Sequence, residues 1–599
     1  MTYRAPVSDI LFTMRHVAGL DRAVAEGIFG DLDADFVASI LQEGGKLAAE
    51  VLAPANRPGD LEGARLNEGV VTTPSGWPQM YRRWTDGGWA RVSGPAEFGG
   101  MGLPVLINAA CLEMWNAANM SFALCPLLTI GAVEALAAHA TEDLKRLYLS
   151  RLVSGEWTGT MNLTEPQAGS DLGALRTKAE AAGDGSYRLS GQKIFITYGE
   201  HDLTDNIVHL VLARLPGAPP GTRGISLFVV PKYLVGADGL LQGRNDVHCV
   251  SIEHKLGIHA SPTCTMAYGD GGGAVGWLVG EENRGLNCMF TMMNNARLGV
   301  GLQGVGIAER AYQHALAYAH ERRQGRAPGS ANAEMIPIVR HPDVRRMLLT
   351  MKSLTQAARG ICYLTAEAID RSQRAGDEQA RAAAGERAGL LTPVAKAFAT
   401  DVANEVASLG VQVHGGMGFI EETGAAQHMR DARIAAIYEG TNGIQAIDLV
   451  QRKLSLSDGA AIEREIADMR AIAEDVRMTN VDTFGATASR LTAAVDALEQ
   501  ATIHMRRVLG AAPDDALAGA TPYSRLFGVA RGGATLAQAA LASHRLAVSG
   551  DPDPAHPGRI ATARFFAENI AVTAGGLAAM VTEGAASVRE AEVALVGHN

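Results

Sequence analysis

The residue best suited to chemistry is Glu439, in the stretch Ile437-Tyr438-Glu439-Gly440-Thr441-Asn442-Gly443-Ile444-Gln445. Its carboxylate stands between an aromatic residue and a glycine, with apolar runs on either side. Gly440 ends the segment before it, and Thr441 and Asn442 are suited to cap the helix that follows. Such a bend holds a carboxylate away from bulk water, beside the amides of a helix start. Desolvation raises a carboxyl pKa toward neutrality, where the group serves as a general base. The nonapeptide equally suits a structural glutamate buried at a packing corner, so the rest of the chain has to decide.

Four other stretches carry polar chemistry, each with a plainer alternative. In Met161 to Asp171, Pro166 and Gly169 form a rigid turn. Its amides, with the Thr164 and Ser170 hydroxyls, suit a planar polar ring or a pyrophosphate, or merely cap a turn between domains. In Gly191 to Thr197 an aromatic, Phe195, and a hydroxyl, Thr197, share one face of a strand, fit for a flat ring or for a core. Arg322, Arg323 and Arg326 with Gln324 cluster where a helix ends. They suit an anionic cofactor tail or an ordinary cationic helix C-terminus. His414 precedes the loop Gly415, Gly416, Met417, Gly418 and Phe419, whose glycines permit close backbone approach to a ligand; His414 itself reads as structural. Gly299, Gly301 and Gly304 match G-x-G-x-x-G, but they lie in a helical run after no strand. They read as helix-packing glycines, not as a dinucleotide fingerprint.

The elements that hold these residues follow from texture. The chain has 599 residues, 47% hydrophobic and 20% charged, enough for three or more domains at roughly 100–200 residues each. Residues 1–156 read as an N-terminal helical domain, with a turn-rich connection between Pro58 and Gly102. Residues 157–284 alternate in short β-like runs and read as a compact antiparallel domain or small barrel. Residues 285–455 return to helical spacing, over 286–322, 343–374 and 391–413. Residues 456–599 are Ala-rich and read as an additional helical bundle. The net charge of −11 argues against nucleic acid as the main partner. Six scattered cysteines without a C-x-x-C pair read as free thiols, with no metal site. No stretch approaches about 20 uninterrupted apolar residues, and Met1 to Leu20 resembles neither a signal nor a transit peptide; a cytoplasmic enzyme is expected.

The order of motifs is more specific than any one of them. T-E-P-x-A-G-S-D at 164–171, G-Q-K-x-F-I-T at 191–197, A-R-x-x-V-G-x-Q-G at 296–304, E-R-x-Q-G-R at 321–326, H-G-G-M-G-F at 414–419 and Y-E-G-T-N at 438–442 together resemble the acyl-CoA dehydrogenase family, over about residues 40–455. The resemblance implies a mainly α fold: an N-terminal helical domain, a middle β-barrel domain and a C-terminal four-helix domain. FAD would lie in the crevice between them, partly completed by a neighbouring subunit of a homodimer or homotetramer. It makes Glu439 the catalytic base. Leu163, Thr164, Gly169, Ser170, Phe195 and Thr197 would line the flavin. Arg322 and Gln324 would meet its pyrophosphate and adenosine region, Gly415 to Phe419 would close over it, and Thr441 and Asn442 would touch it beyond the base. Ser170, Asn294, Arg297 and Gly440 match positions that hold acyl-CoA. Phe195 departs from the tryptophan of many members, keeping the stacking face but losing the indole N–H.

The appended bundle, with Thr197 to Asp202, Lys255 to Gly257, Ser261 to Thr263 and His341 to Arg346, resembles a long-form bacterial branch that includes enzymes of sulfur-compound catabolism. The implied reaction is α,β-dehydrogenation to the trans-2-enoyl-CoA, on 3-methylmercaptopropionyl-CoA or a fatty acyl-CoA, with an electron-transfer flavoprotein as acceptor. An acyl-CoA oxidase passing electrons to oxygen and a non-catalytic binding protein on the same fold stay open.

Overall fold

The computed structural model describes residues 3–30, 32–326 and 334–595. Its first region gathers α1 (Val7–His16), α2 (Leu20–Ala25), α3 (Ala34–Leu47), α4 (Ala53–Glu62), α5 (Trp77–Asp86), α6 (Val105–His139) and α7 (Glu142–Ser154). The turn-rich stretch between Pro58 and Gly102 is more ordered than its glycines suggest. It holds α5 and a hairpin of β1 (Arg65–Asn67) and β2 (Val70–Thr72). Pro78 sits in the first turn of α5, where a missing N–H costs nothing, and α5 buries Trp77, Met80, Tyr81 and Trp84. Apolar spacing predicts one continuous helix over 105–138, but Asn119 breaks it (φ −159°, ψ 87°). Its Oδ1 accepts from Phe122 N at 3.1 Å and caps the second half. By length and composition α6 is apolar enough to cross a membrane, as is the region His556–Glu583; 72% of the most apolar window of α6 is buried inside the fold, against 33% in the second region.

The middle region is a sheet of eight strands. In chain order these are β3 (Thr158–Asn162), β4 (Lys178–Ala181), β5 (Tyr187–Thr197), β6 (Ile207–Ala213), β7 (Ser226–Pro231), β10 (Val247–Ile252), β11 (Thr263–Tyr268) and β12 (Ala274–Val279). A separate hairpin pairs β8 (Tyr233–Val235) with β9 (Leu241–Arg244). The spatial order is β10-β11-β5-β12-β7-β6-β3, with β4 added on β5. All pairs are antiparallel except β3 with β6, which run parallel; β4 and β5 intervene between them in the chain, the long crossover that a parallel pair requires. Gly159 in β3 lets the strand lie on α6, because a Cβ there would stand 2.4 Å from the Ala132 Cβ. That contact fixes the loop after β3 against the helices.

The third region is built on α8 (Gly285–Glu321), α9 (Pro342–Arg374) and α10 (Glu378–His414), followed by α11 (Ala425–Ala432) and α12 (Asn442–Asp448). The glycines of the G-x-G-x-x-G match serve packing. A Cβ on Gly304 would stand 2.5 Å from the Ala399 carbonyl oxygen, and one on Gly301 3.1 Å from that of Ala395. Helical turns over Leu449–Lys453 and Leu456–Gly459 then lead into α13 (Ala460–Thr479), α14 (Thr487–Ala511), α15 (Pro513–Ala518), α16 (Ala520–Val548), α17 (His556–Asn569) and α18 (Ala574–Glu583). These helices dock on α9 and α10 without a spacer. Gly528 admits the Phe398 ring, Gly360 admits Thr535, and Arg525 pairs with Glu405 at 3.0 Å.

Candidate active site

Glu439 lies at a forced bend. Its φ is +54°, left-handed for a residue with a Cβ, and Gly440 follows at +84°; such backbone costs about 1–3 kcal/mol and persists only where neighbours hold it. Here they do. Gln445 Nε2 donates to the Glu439 carbonyl at 3.2 Å and to that of Gly440 at 3.3 Å. Lys396 Nζ donates to Gly440 O at 2.8 Å and to Asn442 Oδ1 at 2.9 Å. Thr441 Oγ1 accepts from Ile444 N at 3.2 Å, capping α12, and Tyr438 OH donates to Gln303 Oε1 on α8.

The Glu439 carboxyl is reachable from solvent but densely walled by protein. Burial raises its pKa above the ordinary carboxylate range, and Arg297 and Lys396 partly oppose the rise. Lys396 is fully buried on α10. Burial pushes its ammonium down to about 8, against the pull of Glu439 and Asp401. Arg297 pairs with Asp448 at 2.8 Å, and its Nε has no partner among the described residues. Asn294 lies beside it on the half-buried face of α8. Asn442 turns inward: besides receiving Lys396, its Nδ2 donates to Asp401 Oδ1 at 2.7 Å. Only its backbone is left to face a cofactor.

A second group stands on the sheet. Ile194 N donates to Thr164 O at 2.9 Å, so Leu163 and Thr164 run beside the end of β5. Phe195 has φ +60° and its side chain is 58% exposed. Thr197 is pinned through its carbonyl, which accepts from Thr160 Oγ1 at 2.7 Å. Gly169 and Ser170 are exposed, and nothing stands within 4 Å of a Cβ built on Gly169. The anchor of this loop is Glu165. It accepts from Lys193 Nζ at 2.8 Å, Thr177 Oγ1 at 2.6 Å and Arg176 N at 2.6 Å. Glu165 and Lys193 each stand inside a motif read from the sequence, but no local spacing marks them as a pair. An exposed aromatic ring flanked by Leu163 and a hydroxyl, open above a glycine turn, fits the flat ring of a flavin.

The remaining candidates lie elsewhere. Tyr318, near the end of α8, stacks on His414 with centroids 4.5 Å apart, and His414 Nδ1 bonds the Gly410 carbonyl at 2.7 Å. His414 is therefore structural, and it gathers Arg322, Gln324 and the Gly415 to Phe419 turn at that end. Gly415 has φ +60°, and Cβ positions on Gly415 and Gly416 are open. Phe419 is 85% exposed. Along α8, Arg297 and Arg322 stand about 37 Å apart, 25 residues at 1.5 Å each. The corner around Glu439 and Arg297 is thus remote from the group around Arg322 and Phe419.

Protein-family models match the chain in tandem: "Acyl-CoA dehydrogenase, N-terminal domain" over 46–156, "middle domain" over 160–270, "C-terminal domain" over 283–455, and "Acetyl-CoA dehydrogenase C-terminal like" over 465–592. A 3-methylmercaptopropionyl-CoA dehydrogenase from Ruegeria pomeroyi is 48% identical, covering 97% of this chain and 98% of that one. A broad-specificity linear acyl-CoA dehydrogenase from Mycobacterium tuberculosis is 32% identical over 95% of both. Among solved structures, an acyl-CoA dehydrogenase from Bacillus anthracis complexed with FAD superposes with TM-score 0.73 at 22% identity, over 95% of this chain and 92% of that one.

Proposed function

The chain belongs to the acyl-CoA dehydrogenase family, and from that premise we propose that Glu439 is the base of its FAD-dependent α,β-dehydrogenation of acyl-CoA thioesters. Bound FAD supplies the hydride acceptor and the outlet for electrons. Glu439 takes the proton from the α-carbon. A C–H beside a thioester is a weak acid, so a carboxylate whose pKa is raised by desolvation is the better-matched base. Arg297 and Lys396 oppose the rise and favour the ionised form. The Glu439 N–H has no acceptor among the described residues. It is free to donate to the thioester oxygen, where charge develops as the proton leaves. Ser170, Asn294, Arg297 and Gly440 hold the acyl-CoA in this reading, and Leu163, Thr164, Phe195 and Thr197 hold the flavin ring. The carrying observation is the Glu439 bend, strained, reachable and walled by protein, with buried Lys396 and half-buried Arg297 acting on its carboxyl. Anaerobic addition of an acyl-CoA to the FAD-loaded protein should bleach the flavin; an unchanged spectrum across a panel of chain lengths would reject the reading.

The Arg322 group belongs to a neighbour's flavin. Arg322 lies about 37 Å along α8 from Arg297, which acts on Glu439, too far for one FAD whose ring lies at the Glu439 corner to reach it in the same chain. A homo-oligomer in which a second copy brings Arg322, Gln324 and the Gly415 to Phe419 turn to each flavin resolves this. The exposed Met417, Phe419 and Ile420 give that end an apolar contact face. An electron-transfer flavoprotein is the proposed acceptor, and peroxide formed from oxygen at the full rate of turnover would favour an oxidase instead. 3-Methylmercaptopropionyl-CoA is the first substrate to try, on the likeness to the Ruegeria enzyme.

A further inference from the structure

The carboxylate of Glu439 accepts no hydrogen bond among the described residues. With no polar partner to steer it, its direction follows the Cα–Cβ bond, and that bond is turned by the backbone. At φ +54° the backbone is left-handed, a conformation that a residue with a Cβ abandons unless neighbours hold it. The Glu439 carbonyl fixes the peptide plane that leaves the bend. Gln445 Nε2 donates to this oxygen at 3.2 Å, and no other donor reaches it among the described residues. Lys396 bonds the next carbonyl, that of Gly440, and Asn442 Oδ1.

The hydrogen bonds of the Gln445 amide go to the bend and nowhere else. Gln445 is the fourth residue of α12 and fully buried, and its side chain reaches back over the start of its own helix. Nε2 is shared between the carbonyls of Glu439 and Gly440, while Oε1 has no partner among the described residues. Burying an amide with one end unsatisfied is costly, and an apolar side chain of similar shape avoids that cost. Packing alone therefore does not account for an amide here. Gly440 makes room for it, since a Cβ on that residue would stand 2.8 Å from Gln445 Nε2. The left-handed base, the glycine after it and the buried amide are parts of one arrangement.

We propose that Gln445 is a positioning residue for proton removal: it locks the left-handed bend so that the Glu439 carboxylate stands where it meets the α-carbon of the substrate. Gln445 acts through Glu439 and touches no reacting atom. Lys396 contributes charge to the same corner, and Gln445 contributes geometry. The proposal rests on the reading of Glu439 as the base and adds the group that aims it.

The test is anaerobic flavin reduction in the FAD-loaded protein, with an acyl-CoA that the wild type oxidises. Gln445→Met keeps length and removes the donor; Gln445→Asn keeps an amide one methylene short of the two carbonyls. Both should slow the limiting rate of reduction by about 10²-fold, the scale of a misplacement of about 1 Å. The acyl-CoA concentration at half-saturation should stay at its wild-type value. Placed in a Glu439→Gln background, Gln445→Met should slow the residual reduction no further, because no carboxylate is left to misplace. FAD occupancy and thermal stability are measured on each variant, and rates are referred to the folded, loaded fraction. A wild-type limiting rate in Gln445→Met overturns the proposal, as does a raised half-saturation with the limiting rate kept. Equal slowing in both backgrounds overturns it too, and loss of FAD loading in both single variants would assign Gln445 to the fold instead. All of these outcomes leave the dehydrogenase reading standing. Failure of every acyl-CoA to reduce the wild-type flavin would remove that reading, and the proposal with it.

Discussion

At the scale of single residues, Glu439 is a base only because of groups remote from it in the chain. Lys396 stands 44 residues before Gly440 and holds that carbonyl at 2.8 Å. Its charge also lowers the Glu439 pKa against the effect of burial. Replacing it with methionine should therefore move the Glu439 pKa further up. The carboxylate is the active form, so activity is lost as pH falls through that pKa, and the loss should begin at higher pH in Lys396→Met. Arg297, with its partner Asp448, and Asp401 also face this corner and stay unchanged. The check is the pH profile of the flavin-reduction rate; Lys396→Arg should restore the wild-type limb, and an unshifted profile in Lys396→Met would count against the coupling. Glu439 was legible because Y-E-G-T-N compresses a base, a left-handed glycine and a helix cap into five residues. Lys396, Gln303 and Glu165 were not, because each acts through a partner at a distance that local spacing does not encode.

At the scale of elements, periodicity located what packs and missed what is held by special backbone. β6 and β10 appear at the β-like runs Ile207 to Ala213 and Val247 to Ile252; every residue of β6 is buried, His209 included, so its apolar residues mark it in spite of that one polar side chain. β5 runs unbroken through Gly191, which sequence spacing treats as a boundary. That glycine has φ +146°, and a Cβ there would meet Thr177 Oγ1 at 2.7 Å. The α5 helix hid among glycines and Pro78. In the helical body, Gly304 carries the clearest prediction. Valine there drives side-chain atoms into the Ala399 carbonyl of α10, so the two helices must separate. The expected cost is about 1–3 kcal/mol, typical of overpacking, read as a fall in denaturation midpoint with an unchanged m-value. Wild-type stability in Gly304→Val would mean that the α8–α10 contact is looser than described. The terminal bundle makes a second case. Its Gly528 against Phe398 of α10 and its Thr535 against Gly360 of α9 bind it to the body, so proteolysis within 453–459 should not release an active 1–455 fragment of unchanged stability.

At the scale of the whole molecule, the motifs were legible one by one but their division was not. Arg297 and Arg322 both belong to motifs of the same helix, and only the length of α8 shows how far apart they stand. If a second copy completes each site, Arg322→Ala should lose FAD on dialysis at moderate salt, since the anionic pyrophosphate loses a fixed cation. Moreover, chains bearing Arg322→Ala and chains bearing Glu439→Gln should complement each other. A mixed dimer contains one site with both residues intact, so co-expression of the two should recover activity that neither shows alone. Activity no greater than the sum of the two parents would place both groups on one flavin in one chain. The central claim, that Glu439 removes the α-proton, has a more direct test. Glu439→Gln keeps size and hydrogen-bonding capacity while removing the base. The FAD-loaded variant, mixed anaerobically with an acyl-CoA that the wild type oxidises, should still bind the ligand, with flavin reduction slowed by about 10²–10⁴-fold. Reduction at the wild-type rate in the folded, FAD-loaded variant would contradict the claim.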